Sequence, residues 1–81
     1  MPIKVILYTG SHCPLCDQAK SLLYPVLGEY NATLEEVNVS ATDSLQQAYG
    51  LRIPVIKMPG GQEKGWPFSV GQVRKLLAAQ T

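Results

Sequence analysis

An apolar run that empties straight into a paired-cysteine turn constrains this chain more than anything else in it. Lys4-Val5-Ile6-Leu7-Tyr8 reads as a strand, Thr9-Gly10-Ser11-His12 as a turn, and Cys13-Pro14-Leu15-Cys16 as the opening of a helix. Pro14 suits the first helical position, where its missing N–H would be unpaired in any case. A strand delivered directly into a helix begins an alternating order, which calls for a sheet with helices packed on it. Both cysteines of the chain lie in this turn. Neither has a partner elsewhere for a long-range structural disulfide.

Periodicity and punctuation give the remaining order. Strand one is expected over residues 3–8 and a helix from 14 to about 27, with Leu15, Ala19, Leu22, Leu23 and Val26 at helical spacing. Pro25 inside that pattern predicts a kink or an early end near Tyr24. Strand two is expected over 34–39, with Val37 and Val39 inward; Glu35 shares their parity and must escape near the strand end. Ser40-Ala41-Thr42-Asp43 has the spacing of a capping box, predicting a short helix to Tyr49 that Gly50 stops in the left-handed conformation. Residues 53–57 read as strand three, Pro59-Gly60-Gly61 as a turn, and 62–66 as the return strand of a hairpin. Ser69-Val70-Gly71-Gln72 predicts a second capping box and a last helix through about Ala79, striped by Val73, Leu76 and Leu77. The expected class is α/β, in the order β-α-β-α-β-β-α, with a four-stranded mixed sheet and helices on both faces. Strands separated by helices should pair in parallel through right-handed crossovers, and the hairpin should add an antiparallel strand.

Size and charge narrow the function. The 81 residues suffice for one small domain, expected to span 1–81, and a domain of this size buries roughly 60% of its unfolded surface. A net charge of +1, with Lys and Arg scattered, predicts neither a nucleic acid nor a membrane as partner. Val5 to Tyr8 is too short for a signal-peptide core, and no stretch is long enough to span a bilayer. A cytoplasmic, reducing setting is the expectation, and there a Cys-x-x-Cys is more often catalytic or metal-binding than structural.

The placement of the dithiol predicts its chemistry. A free cysteine has a pKa near ~8.5, and only the thiolate attacks disulfides. With Cys13 as N-cap, its sulfur faces the unpaired N–H groups and the positive end of the helix, which stabilise the anion. Cys16, one turn inside, is more shielded yet within reach. This predicts that Cys13 attacks a substrate disulfide and Cys16 attacks the resulting mixed disulfide to release product. Zinc is the competing use, but a closed site needs four ligands and only His12 adds a nitrogen nearby. A metal shared between two chains stays open. His12 either adds charge beside the nucleophile or is a plain exposed loop residue, and the plain reading is preferred. Asp17 is read as complementing the helix dipole and Lys20 as a solvated residue.

Ile53-Pro54-Val55 is the second constellation, since a proline at the mouth of an apolar strand cannot donate to the ladder. Either Pro54 simply starts an edge strand, or Ile53–Pro54 is cis and turns the Ile53 backbone toward the dithiol. Together, the strand–Cys-Pro-Leu-Cys–helix opening and Ile53-Pro54-Val55 resemble the thioredoxin superfamily, specifically glutaredoxins with their Cys-Pro-x-Cys motif. The likeness covers nearly the whole chain. Tyr49-Gly50-Leu51-Arg52-Ile53-Pro54-Val55 and Gly65-Trp66-Pro67-Phe68 are similar to a branch of small glutaredoxin-like proteins. The resemblance implies a thioredoxin-like fold, a cis Pro54 facing the dithiol and thiol–disulfide oxidoreductase chemistry. It implies Cys13 as nucleophile, Cys16 as resolving thiol and the Ile53 backbone as substrate binder.

The chain also departs from the family. Typical glutaredoxins carry a lysine three residues before the first cysteine, near the glutathione carboxylate; here that residue is Gly10. Their Gly-Gly-acidic motif opening the last helix is replaced by Gly65-Trp66-Pro67-Phe68-Ser69. Arg52 is a candidate cation for an anionic substrate, weighed equally with a solvated arginine. Trp66 and Phe68 are read as packing residues ahead of an apolar lip for a protein substrate. No metal or organic cofactor is expected. The expected partner is a disulfide-containing protein, or glutathione as co-substrate, and the chain is expected to be a monomer. Two other readings are a module holding zinc or an iron–sulfur cluster between two chains, and a redox-inert adaptor.

Overall fold

The structure, a computed structural model, describes residues 3–80. Four strands and three helices follow the expected order: β1 (Ile3–Thr9), α1 (Pro14–Glu29), β2 (Ala32–Asn38), α2 (Asp43–Tyr49), β3 (Val55–Lys57), β4 (Glu63–Gly65) and α3 (Val70–Ala78), with a single 3-10 turn over Val39–Ala41. The sheet runs β2-β1-β3-β4. β1 and β2 are parallel, with Ile3 opposite Ala32 and Thr9 opposite Asn38. β3 runs antiparallel to β1, with Leu7 opposite Ile56, and β4 antiparallel to β3. Only one of the helix-separated strand pairs is therefore parallel. The segment after α2 returns on the far side of β1, so β3 joins from the opposite direction.

Side-chain alternation along β1 divides the core in two. Ile3, Val5 and Leu7 point to one face and meet Ala19, Leu23, Val26 and Leu27 of α1 and Val73 and Leu77 of α3. Tyr8 points to the other face and meets Val39 and Val55, with Leu45 and Tyr49 of α2 packed against them. Glu35 at the β2 edge stays exposed and pairs with Lys4 at 3.3 Å.

The helix boundaries show which local signals prevailed. α1 runs through Pro25 to Glu29 instead of ending near Tyr24. Pro25 is exposed, while Val26 and Leu27 beyond it are buried, and that burial outweighs the one backbone bond a proline forfeits. Val39 leaves strand two for the 3-10 turn, whose cap is Asn38. The cap of α2 is Thr42, accepting from the Leu45 amide at 3.3 Å, not Ser40, whose hydroxyl donates to Asn38 instead. Gly50 is right-handed (φ −54°, ψ −33°) rather than left-handed. Its requirement is space, because a Cβ there would stand 2.5 Å from the Gln46 carbonyl oxygen. Ser69 and Gln72 form the reciprocal capping box of α3 as expected. The hairpin turn closes with Gly61 at φ +97°, a conformation glycine adopts without steric cost.

Candidate active site

Cys13 is the N-cap of α1, with extended backbone, and its sulfur accepts the Cys16 amide proton at 3.1 Å. Pro14 occupies the first helical position. The helix brings the two cysteines to a Cα separation of 5.2 Å, and their sulfurs are joined as a disulfide. The pair is asymmetric. Cys13 is partly exposed, whereas Cys16 is 2% exposed and continues the buried stripe of Ala19, Leu23 and Val26. Leu15 shows the cost of reading that stripe from apolar letters alone: expected inward, it faces outward at 45% exposure, because Cys16 holds the buried register.

The loop before the cysteines is fixed at two points. Ser11 accepts a hydrogen bond from the Asn38 side chain at 3.3 Å, tying the turn to the end of β2. Gly10 lies under Ile53, so closely that a Cβ on residue 10 would be 2.7 Å from Ile53 Cδ1. That approach brings the Ile53–Pro54 segment against the turn leading into the dithiol. His12 is exposed, with φ +55°.

Ile53–Pro54 is cis. Pro54 is buried and precedes β3 instead of lying within it, and its carbonyl accepts the Trp66 amide at 3.0 Å. The Ile53 amide donates to the Tyr49 carbonyl at 3.1 Å, as does that of Arg52 at 2.8 Å. The Ile53 N–H is therefore already engaged within the fold. Arg52 is exposed and turns back on α2, its Nε donating to the Ala48 carbonyl at 3.2 Å and its guanidinium 5.1 Å from the Tyr49 ring centre. Lys20 is not a free surface charge: it bridges Asp17 and Glu36, at 3.5 and 3.2 Å. The hydrogen bond to Glu36, reinforced by its charge, raises the Lys20 pKa.

Two features escaped the sequence. Tyr8 and Tyr49 stack with ring centres 4.1 Å apart, and the Tyr49 hydroxyl donates to Glu63, which anchors the start of the Pro54 loop to both β1 and β4. No periodic pattern links those three positions. Trp66–Pro67 is a second cis bond, and nothing in that dipeptide alone distinguishes it from an ordinary turn. Phe68 is buried in the main core with Trp66 edge-on at 5.1 Å, the packing role expected of them. Among the described residues, no three His, Cys, Asp or Glu side chains gather as a metal site, and no helix is long and apolar enough to cross a membrane.

Comparison with known proteins agrees with this geometry. The profile of the glutaredoxin-like domain (DUF836) matches residues 4–78. The X-ray structure of target protein XcR50 from X. campestris is 37% identical, with a TM-score of 0.76 over 93% of this chain and 96% of that one. Its solution structure superposes with a TM-score of 0.80 at 36% identity, covering 93% and 92% of the two chains. Protein Ne2328 from Nitrosomonas europaea shares the fold at 20% identity, with a TM-score of 0.81 over 94% and 92%. Among curated proteins, none matches. A mixed sheet of this order, a cysteine pair at the first helix and a profile match over nearly its whole length place the chain in the glutaredoxin-like domain family, with a thioredoxin-like fold.

Proposed function

We propose that the protein is a thiol–disulfide oxidoreductase working through Cys13 and Cys16. The observation that carries this is the unequal setting of two sulfurs close enough to bond, one partly exposed as the helix cap and one buried a turn behind it. In the reduced protein, the Cys16 amide and the helix N-terminus favour the Cys13 thiolate. That thiolate attacks one sulfur of a substrate disulfide; a new S–S bond forms, the old one breaks, and the departing thiolate takes a proton. Cys16, deprotonated, then attacks the Cys13 sulfur and expels the second substrate thiol. Two electrons pass to the substrate, and the Cys13–Cys16 disulfide remains. The Pro54 segment, held against Gly10, offers the Ile53 carbonyl to the incoming chain. Glutathione belongs to this reading through the family alone.

Cys16→Ser tests it directly. Treated with a disulfide, this variant is expected to accumulate a mixed disulfide on Cys13, read as a mass increase removed by dithiothreitol, while Cys13→Ser gains nothing. A Cys16→Ser protein that forms no adduct with any disulfide overturns the assigned roles.

A further inference from the structure

β4 is an edge strand, bonded to β3 on one side, with no strand beyond it among the described residues. Trp66 donates inward to the Pro54 carbonyl, and the Gln62 carbonyl accepts inward from Met58. Along an antiparallel ladder such inward pairs alternate with residues whose N–H and C=O groups point outward. On β4 those residues are Glu63 and Gly65.

Beside this edge lies a groove of about 390 Å³, lined by Glu63, Lys64, Gln72, Lys75, Leu76 and Ala79. That volume is within the range of ligand pockets, about 300–1,000 Å³. The four α3 residues recur at the spacing of one helix face, so the helix gives the groove a continuous wall. Half-buried Leu76 makes that wall apolar. At one end Gln80 donates to the Gln62 side chain at 3.3 Å and accepts from the Gly60 amide at 3.2 Å, fastening the hairpin turn to the end of α3.

The groove carries uncompensated positive charge. Lys64 stands opposite Ile56, which belongs to the α1–α3 core, so Lys64 projects to the α3 side. Glu63 alternates to the other face, where the Tyr49 hydroxyl holds its carboxylate, and it gives the groove its backbone. α3 contains no acid, and Glu29, which reaches α3 from α1, is gripped by Arg74. Neither Lys64 nor Lys75 has an ion-pair partner among the described residues. Lys64 also selects what can add to the edge. An antiparallel second copy centred on it would set lysine against lysine, whereas an acidic strand is drawn in.

We propose that this groove takes an extended acidic segment of a partner polypeptide. The segment adds to β4 as a fifth strand, bonding the outward groups of Glu63 and Gly65, with carboxylates at Lys64 and Lys75 and an apolar side chain against Leu76 and Ala79. Cys13 and Cys16 are not among the lining residues, so this docking stands independently of the dithiol chemistry.

Nuclear magnetic resonance titration of the isotope-labelled protein with the end-capped peptide Glu-Thr-Val-Thr-Glu tests this, because an extended chain places both glutamates and the valine on one face. Saturable amide shifts centred on Glu63 and Gly65 are expected, with both amides exchanging several-fold more slowly with solvent in the complex. Lys64→Gln and Lys75→Gln are each expected to weaken binding about two- to fivefold, and a peptide with lysines in place of the glutamates to bind about tenfold more weakly. Unchanged circular dichroism and melting show that the variants fold. Absence of shifts, shifts confined to other residues, equal binding of the acidic and basic peptides, or affinity unmoved by both substitutions overturns the assignment. So does dilution that moves the same amides without peptide, which makes a second copy the occupant.

Discussion

The two faces of the sheet are built to different depths. Among the described residues, twelve buried ones form one apolar cluster on the side of α1 and α3; on the side of α2 the buried cluster is Tyr8, Val39 and Val55, and α2 itself buries none of its residues completely. What replaces apolar mass on the thin face is a set of specific contacts: the stacked tyrosines, the Tyr49–Glu63 hydrogen bond, and the two amides donated to the Tyr49 carbonyl. The difference separates holding the fold from presenting the site. The thick face supplies the bulk of the hydrophobic stabilisation. The thin face positions the loop carrying Leu51, Ile53 and Pro54, with a geometry that small changes can retune.

Substitutions divide along that line. Leu23→Ala, deep in the thick face, is expected to cost about 2–5 kcal/mol in urea denaturation, whereas Leu45→Ala on the partly buried thin face is expected to cost about 1 kcal/mol. Equal losses at the two sites would break the distinction. Tyr49→Phe keeps the ring stack but removes the hydroxyl from Glu63, an expected loss of about 0.5–1 kcal/mol. That loss carries its own pH signature. The hydrogen bond to Glu63, with burial behind it, lifts the Tyr49 pKa from 10.0 to about 12. The raised value favours the neutral phenol in the fold, so this contribution is whole below about pH 10 and fades as pH rises through about 12. Stability curves of the two proteins should converge across that window, and curves that stay parallel would mean the hydroxyl does not act through its proton.

The smallest effect belongs to the exposed clasp on the thick side, where Arg74 grips Glu29 through two hydrogen bonds of 2.9 and 2.8 Å. The hydrogen bond from Arg74 lowers the Glu29 pKa. Its contribution is present above the ordinary carboxylate range and is lost as pH falls through the depressed value. Arg74→Gln should flatten the acid limb slightly and leave disulfide exchange unchanged; salt should mask the difference.

The thick face was legible in the sequence because it is made of repeats of one period. Ala19, Leu23 and Val26 on α1, and Val73 and Leu77 on α3, announce their inward side by spacing, and Ser69 with Gln72 announces where α3 begins. The dithiol was legible because strand, turn, proline and cysteine follow one another along the chain. The thin face was not. Tyr8, Tyr49 and Glu63 lie far apart in sequence, and their contact depends on the return path of β3, whose direction spacing could not supply. Leu15 and Gly50 went astray locally, one because a cysteine took the buried register, the other because a glycine was needed for room and not for handedness.

Gly10 and Ile53 share one volume, since any carbon added to the first lands on the terminal methyl of the second. The two positions, 43 apart in the sequence, consequently behave as a single locus: a bulkier or charged residue at 10 becomes admissible only alongside a trimmed or rotated one at 53. A family branch that traded this glycine for a long basic residue would have to turn or shorten the Ile53 side chain in the same step.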